Sequence, residues 1–382
     1  MVTLESAENA LKTVYLGTVT DLLNTHVNPL LTKIEQTSAD VWGKEIRTAV
    51  RVGINGGIGA GDEAGTLPDA YGNNYMQFVS TLKNLYGQIE ISDKAIRASA
   101  DGRGAFTDLL NAELEGLLNA SKFNLGRMLY GDGSGQLAMF SNMPEGMRAD
   151  STRNLIEGLA VDIYAASGTK RGTARITYVN RETGEVQLDS GMTLTSGDRA
   201  YVQGSKDKEI TGLAALFGKS ATIYGVNKND HPFLKPYSKA VDGPIDEIVI
   251  QEAIDNLENN AGSTVDFISC AQDVKYSFIE YMSAYKRNID VMELEGGFKT
   301  LSYNGLPLVY DRFVPNGTMY LLNTKAFKLH QLCDWRFLET ENGKILRQSQ
   351  GKPTYTATLV KYCDLICNKP NGQARLTGIT RA

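Results

Sequence analysis

Three histidines, His26, His231 and His330, and four cysteines, Cys270, Cys333, Cys363 and Cys367, are the residues of this 382-residue chain best suited to proton transfer, nucleophilic attack or metal binding. Their spacing supports none of these. No His-Glu-x-x-His pair places two imidazoles on one helical face, and no G-x-S-x-G turn presents a serine nucleophile. Cys363 and Cys367 share one face of a strand-like stretch, but zinc needs two further ligands, and Cys270 and Cys333 are isolated in sequence. The four thiols therefore read as buried structural groups.

Two glycine-rich stretches imitate nucleotide-binding loops. Gly212 to Ser220 ends in Gly-Lys-Ser, yet it has five residues between its glycines where a phosphate loop needs four. Gly53 to Gly61 resembles a dinucleotide fingerprint but leads into Asp62-Glu63-Ala64-Gly65 and not into an apolar helix. It reads as the tip of a loop.

Composition narrows the class further. There are 39 Lys and Arg against 44 Asp and Glu, for a net charge of -5. Dedicated nucleic-acid binders carry a basic excess, because phosphate contacts supply most of their affinity, so sequence-specific DNA binding is not expected. Met1 to Lys12 contains Glu5 and Glu8 and lacks the apolar segment of a secretory signal. No run approaches the roughly 18 apolar residues of a membrane span. The length predicts more than one domain, 38 glycines with 10 prolines predict turn-rich β structure, and cysteines without a compact disulfide framework, with no signal segment, predict folding in a reducing cytoplasm.

The elements follow from periodicity. Leu11, Tyr15, Leu22 and Leu23 predict an N-terminal helix interrupted at Asn28-Pro29, and Leu30, Leu31 and Ile34 a second short one. From Lys44 to Val52 the residues alternate, with Ile46, Val50 and Val52 on one face and Glu45, Arg47 and Arg51 on the other. A second strand from Gln77 to Tyr86 would complete a long two-stranded ribbon with a glycine-rich tip. Such a hairpin is marginal alone and needs a surface to lie on. Gly87 to Ile91 predicts a short strand. From 105 to 130 an apolar stripe (Phe106, Leu109, Leu110, Leu114, Leu117, Leu118, Leu125, Met128, Leu129) predicts a helix about 39 Å long, stopped by GDGSG at Gly131–Gly135. Asp108 and Arg127 complement its dipole.

Beyond it, Ala174–Val179 and Glu185–Leu188 flank a turn, and Arg199–Val202 is a further strand, giving a β-rich insertion of about sixty residues. An α+β segment follows. Its helix near Asp246–Asn260 points Ile250, Ile254 and Leu257 inward and stops at Gly262. Val265–Ile268 is a buried strand, and Val274, Phe278, Met282 and Tyr285 mark a second helix. Phe298 to Asp311 folds around Asn304-Gly305, Met319–Leu322 is a strand, and the remainder from Trp335 is strand-rich.

The order of these parts resembles the major capsid proteins of tailed bacteriophages, which share the Hong Kong 97-like fold. Three stretches carry the likeness: Leu85 to Ser92 as the exit from the extended loop, Asp108 to Gly135 as the spine helix with its glycine-rich exit, and Leu301 to Asp311 followed by Val314-Pro-Asn-Gly317 as the hairpin of the axial domain. The fold this implies is α+β. It comprises an N-terminal helical arm (1–43), an extended β-ribbon loop (44–86), a peripheral domain with the spine helix (87–152), a β insertion (153–212), an axial domain (213–335) and C-terminal strands returning to both domains (336–382).

The resemblance implies a non-enzymatic subunit, without cofactor or metal, that assembles into pentamers and hexamers of an icosahedral head. That head would enclose double-stranded DNA without reading its sequence, and a weakly acidic chain suits a container that must release its DNA. It implies assembly in the bacterial cytoplasm, residence in the virion, no membrane, and as partners a separate scaffolding protein, a portal and a decoration protein. Only about forty residues precede the ribbon, too few for the large scaffolding segment some relatives carry, which implies a separate scaffolding protein or a chain already processed. Glu45, Arg47, Arg51, Asp62, Glu63 and Lys83 are the candidate assembly contacts. The same fold also serves encapsulin-like cellular compartments, which is the alternative function, and an enzyme or binding module would instead require a small-molecule pocket.

Overall fold

The computed structural model describes residues 28–94, 103–144, 146–285, 291–293, 299–339 and 345–381. The N-terminal helix expected from Leu11 to Leu23, and His26, lie outside these. Among the described residues the strands form sheets of five, six, seven and three strands and a small hairpin at Thr222–Asn227.

The ribbon is present. Glu45–Val52 and Asn74–Thr81 pair antiparallel over eight residue pairs, from Glu45 with Thr81 to Val52 with Asn74, and Val41–Trp42 adds a third short strand. At about 3.4 Å per residue the paired part extends about 27 Å. The second strand was expected to continue to Tyr86, and here the structure corrects the sequence reading. The ribbon closes at Leu82, whose N–H donates to the Lys44 carbonyl. At Lys83 the chain changes partner and enters a ten-residue strand, Lys83–Ser92, with Leu85, Gly87, Ile89 and Ile91 all buried. Lys83 thus belongs to the body, and the short strand expected at Gly87–Ile91 is the latter half of a longer one. The inward-facing positions change parity here, from Met76 and Phe78 to Leu85, Gly87, Ile89 and Ile91, but no Gly or Pro marks the switch and the whole stretch reads as extended chain.

Lys83–Ser92 pairs with Thr354–Cys367, whose other edge pairs with Phe327–Phe337 and Arg347–Gln348; Glu35–Thr37 completes this five-stranded sheet. Phe327–Phe337 therefore leaves the axial segment to which the sequence reading assigned it.

The long helix runs Arg103–Leu129, 27 residues or about 40 Å. Of its expected stripe, Leu118, Leu125, Met128 and Leu129 are buried and Leu117 half-buried. The side chains of Phe106, Leu109, Leu110 and Leu114 lie outside the described set. Because the helix starts at Arg103, Asp108 lies beyond its first turn. Arg127 does lie in the last turn, but it is buried and engaged elsewhere.

The six-stranded sheet has a core of its own, built on Leu137, Phe140, Leu155, Val161, Ile163, Ile176 and Val179. It begins earlier than expected, at Gln136, because the hairpin Gln136–Met143/Gly146–Ala149 shares this sheet with Ala160–Tyr164, Lys170–Val179, Val186–Leu188 and Arg199–Val202.

The seven-stranded sheet runs in the order Tyr237–Gly243, Ala374–Ile379, Met319–Leu322, Phe267–Cys270, Leu306–Tyr310, Lys299–Tyr303, Val291–Glu293. Its middle strands Phe267–Cys270 and Met319–Leu322 are wholly buried. Glu247–Ala261 starts at Asp246, whose carboxylate accepts from Val249 N at 2.7 Å, and buries Ile250, Ile254 and Leu257. Gln272–Tyr285 buries Val274, Phe278 and Met282. Asn304 and Gly305 take φ of 48° and 77°, the left-handed pair that a two-residue hairpin turn demands.

The long helix ends against the chain leaving the six-stranded sheet. A Cβ at Gly212 would stand 2.3 Å from Met128 O, 2.7 Å from Leu129 O and 2.6 Å from Gly131 O. No small side-chain movement relieves contact with three carbonyls. Gly212→Ala is expected to cost about 3 kcal/mol of stability, read as a lower urea midpoint, whereas Gly116→Ala, inside the long helix with open space around its Cβ position, is expected to add about 1 kcal/mol and raise the midpoint.

Candidate assembly surfaces

The ribbon divides its side chains as strand geometry requires. Ile46 and Thr48 are buried and Val50 and Val52 half-buried on the face toward the body. On the opposite face Glu45, Arg47 and Arg51 stand in a row, with Glu45 and Arg47 joined by a 2.8 Å ion pair. That pair is half exposed and contributes little to stability. Arg51 lies opposite Tyr75, itself 67% exposed.

The tip, residues 53–73, has no regular structure and is exposed throughout. Asp62 and Glu63 sit in a turn closed by Gly65 N donating to Asp62 O at 3.0 Å. With Asp69 they leave the tip acidic, since no Lys or Arg occurs between Gly53 and Asn73. The ribbon also exposes Trp42, Ile54, Ile58, Leu67, Tyr71 and Tyr75. Six large apolar side chains thus stand in water on this one element. Lys83 is set apart from them, half-buried at the root, with Nζ donating to Thr81 Oγ1 at 3.3 Å.

That root carries residues the sequence reading missed. Phe78 is fully buried against Tyr224, ring centroids 5.5 Å apart, and Val79 N donates to Tyr224 O at 2.9 Å. The Tyr224 hydroxyl in turn donates to Leu365 O and accepts from Cys367 N. Asp364, on the same strand, accepts from Ser80 of the ribbon and from Thr211. Burial holds the Asp364 carboxyl above its ordinary range, against the opposing pull of these donors and of Lys83, and burial likewise raises the Tyr224 hydroxyl. A lone carboxylate between Cys363 and Leu365, inside an otherwise apolar run, was the sequence signal for this site.

Among the described residues no group of three or more His, Cys, Asp or Glu is placed to hold a metal, and no helix is long and apolar enough to cross a membrane. His231 packs edge-on against Phe233, and His330 is buried with Nδ1 3.0 Å from Ala39 O. The stretch resembling a phosphate loop forms the short helix Leu213–Leu216 with both leucines buried, and Gly212 faces carbonyl oxygens, which repel an anion. A cleft of about 1200 Å³ runs between the long helix, Lys83–Ser92 and Val202–Glu209, but neither His nor Cys lines it. Beside it Arg127 and Glu209 form a buried ion pair that ties the long helix to the chain leaving the six-stranded sheet.

This architecture has known counterparts. The chain superposes on a subunit of the cyanophage A-1(L) capsid with a TM-score of 0.56 at 12% identity, covering 95% of this chain and 93% of that one. The SrpI encapsulin of Synechococcus elongatus follows at 0.49, 11%, 93% and 89%, and Mycobacterium phage Adephagia at 0.48, 9%, 92% and 90%. No protein-family model matches the sequence, and no curated protein does. The fold is therefore a mixed α+β fold of the phage-capsid class. The cyanophage superposition carries that conclusion, since it spans nearly the whole of both chains, and it establishes likeness of fold and not of sequence.

The thiols give a direct check on this packing. Cys270, Cys363 and Cys367 are buried, and burial pushes each up to about 12, while Cys333 is partly exposed. In native protein at pH 8 an aromatic disulfide reagent is expected to label Cys333 well ahead of the other three, with all four reacting in denaturant. Rapid labelling of two or more would contradict the burial.

Proposed function

We propose that this chain is the major capsid protein of a tailed phage, a structural subunit that builds pentamers and hexamers of an icosahedral head. The observation that carries the proposal is the capsid-class fold over 95% of the chain, together with a ribbon whose exposed apolar side chains its own core does not use. The ribbon acts as the extended loop and lies across a neighbouring subunit, where Glu45, Arg47 and Arg51 on its outer face and Asp62 and Glu63 at its tip make contact. Lys83 contributes at the root. The five-stranded sheet with the long helix serves as the peripheral domain, the seven-stranded sheet as the axial domain meeting its copies around each symmetry axis, and residues 1–43 as the N-terminal arm.

Closed symmetry then multiplies weak contacts, because several neighbours hold each subunit at once. The shell encloses double-stranded DNA without sequence-specific binding, as a chain of net charge -5 without a basic run suits. A separate scaffolding protein, a portal and a decoration protein are its partners, with assembly in the bacterial cytoplasm and residence in the virion head.

Expression alone and with a candidate scaffolding protein, followed by negative-stain electron microscopy, tests this. Uniform shells or rings of five and six are expected; a monomer or dimer under every condition overturns the proposal. Shells that package a cargo enzyme in place of DNA would indicate a cellular compartment. Deleting residues 56–65 should abolish ordered shells and leave soluble folded protein, and normal shells from that deletion would refute the ribbon's role.

A further inference from the structure

Both ribbon strands leave the body at one root, and a buried carboxylate of a third strand reaches into it. Asp364 is fully buried in Thr354–Cys367. Its two oxygens divide their donors by type. Oδ1 accepts backbone N–H groups, from Thr211 at 2.7 Å and from Leu365 at 3.0 Å. Oδ2 accepts hydroxyls, from Ser80 at 2.5 Å and Thr211 at 3.1 Å. No described Lys, Arg or His forms an ion pair with it within 4 Å.

We propose that Asp364 is the positioning residue of the ribbon: a latch that sets the angle between ribbon and body and couples it to the chain leaving the six-stranded sheet at Thr211. The consequence for assembly rests on the shell reading above; the latch itself does not.

The physical case is one of satisfaction. A buried carboxylate with no ion-paired partner, Lys83 acting on it only from a distance, persists only while donors surround it, and losing one leaves an oxygen without compensation in a site closed to water. Ser80 is the donor that the ribbon supplies. Swinging the ribbon away therefore breaks a bond that nothing on the body replaces, and the root has a defined closed state instead of a soft hinge. The Thr211 donors belong to the segment joining the six-stranded sheet to Gly212, one residue short of the contact with the long-helix carbonyls. A shift of that segment and a shift of the ribbon both act on the same two oxygens. Tyr224 supports the root from the other side but bonds only backbone groups, so it holds the ribbon's edge and does not connect it to Thr211.

The division of donors makes the latch testable by a conservative change. Asn in place of Asp364 keeps a carbonyl oxygen for the two N–H groups and offers its NH2 to the two hydroxyls, which rotate to accept. Ala offers nothing.

The experiment is hydrogen exchange read by mass spectrometry on the full soluble chain. In Asp364→Ala, amides of Glu45–Val52 and Asn74–Thr81 are expected to exchange about 10-fold faster, while Phe267–Cys270 and Met319–Leu322 keep wild-type protection. Asp364→Asn is expected to match wild type, and Ser80→Ala to loosen the ribbon alone. Wild-type ribbon exchange in Asp364→Ala overturns the latch, as does equal loss of protection across all sheets in both Asp364 variants. Should Asp364→Ala fail to fold, Ser80→Ala decides: faster ribbon exchange supports the latch and unchanged exchange overturns it. A latch that holds in solution, in a chain that makes no shells with scaffold, faults the shell reading and not the latch.

Discussion

Ten consecutive residue pairs, from Ser92 with Thr354 to Lys83 with Cys363, join strands some 260 to 280 positions apart, and the rest of the molecule depends on this pairing. Closing so long a loop costs entropy that must be repaid by burial. Thr354–Cys367 repays it with nine buried residues, among them Ala357, Leu359, Val360, Cys363, Leu365, Ile366 and Cys367. On its other edge it pairs with Phe327–Phe337. Whatever lies between the partners in sequence, the long helix, the six-stranded sheet and most of the seven-stranded one, is held as an excursion from this seam.

The same strand concentrates the buried polar groups. Lys361 is fully buried and directs its ammonium to Asp334 and Gln331 at 2.6 Å and Gln36 at 3.4 Å, using all three donors. Asp364, three residues on, collects donors from the ribbon root and the exit of the six-stranded sheet. Groups of this kind add little net stability over an apolar packing, but they admit few alternative arrangements.

Much of this was legible in the sequence, and the legible parts share a cause. The helix ending at Gly262, the turn at Asn304-Gly305, the Lys170–Val179/Val186–Leu188 hairpin and Arg199–Val202 each follow from local periodicity and local turn chemistry. The ribbon's alternation likewise placed Glu45, Arg47 and Arg51 together. What was misread was membership. Lys83 looked like part of the ribbon because no Gly or Pro breaks the extended stretch from Gln77 to Tyr86, although the inward-facing positions change parity within it, and Gln136–Met143 looked like part of the helix's own domain because nothing local reveals which sheet a strand joins. Asp364 and Tyr224 escaped notice because their partners are remote, Ser80 and Thr211 for one and Val79 and Leu365 for the other.

The sequence by itself determined most segments of helix, strand and turn, because these depend on side chains within a few residues of one another. Only the tertiary structure decided where the ribbon is rooted, which strands share a sheet, and which polar side chains become buried contacts. Those outcomes depend on pairings across hundreds of residues, whose energies appear only when the partners meet and water is excluded between them.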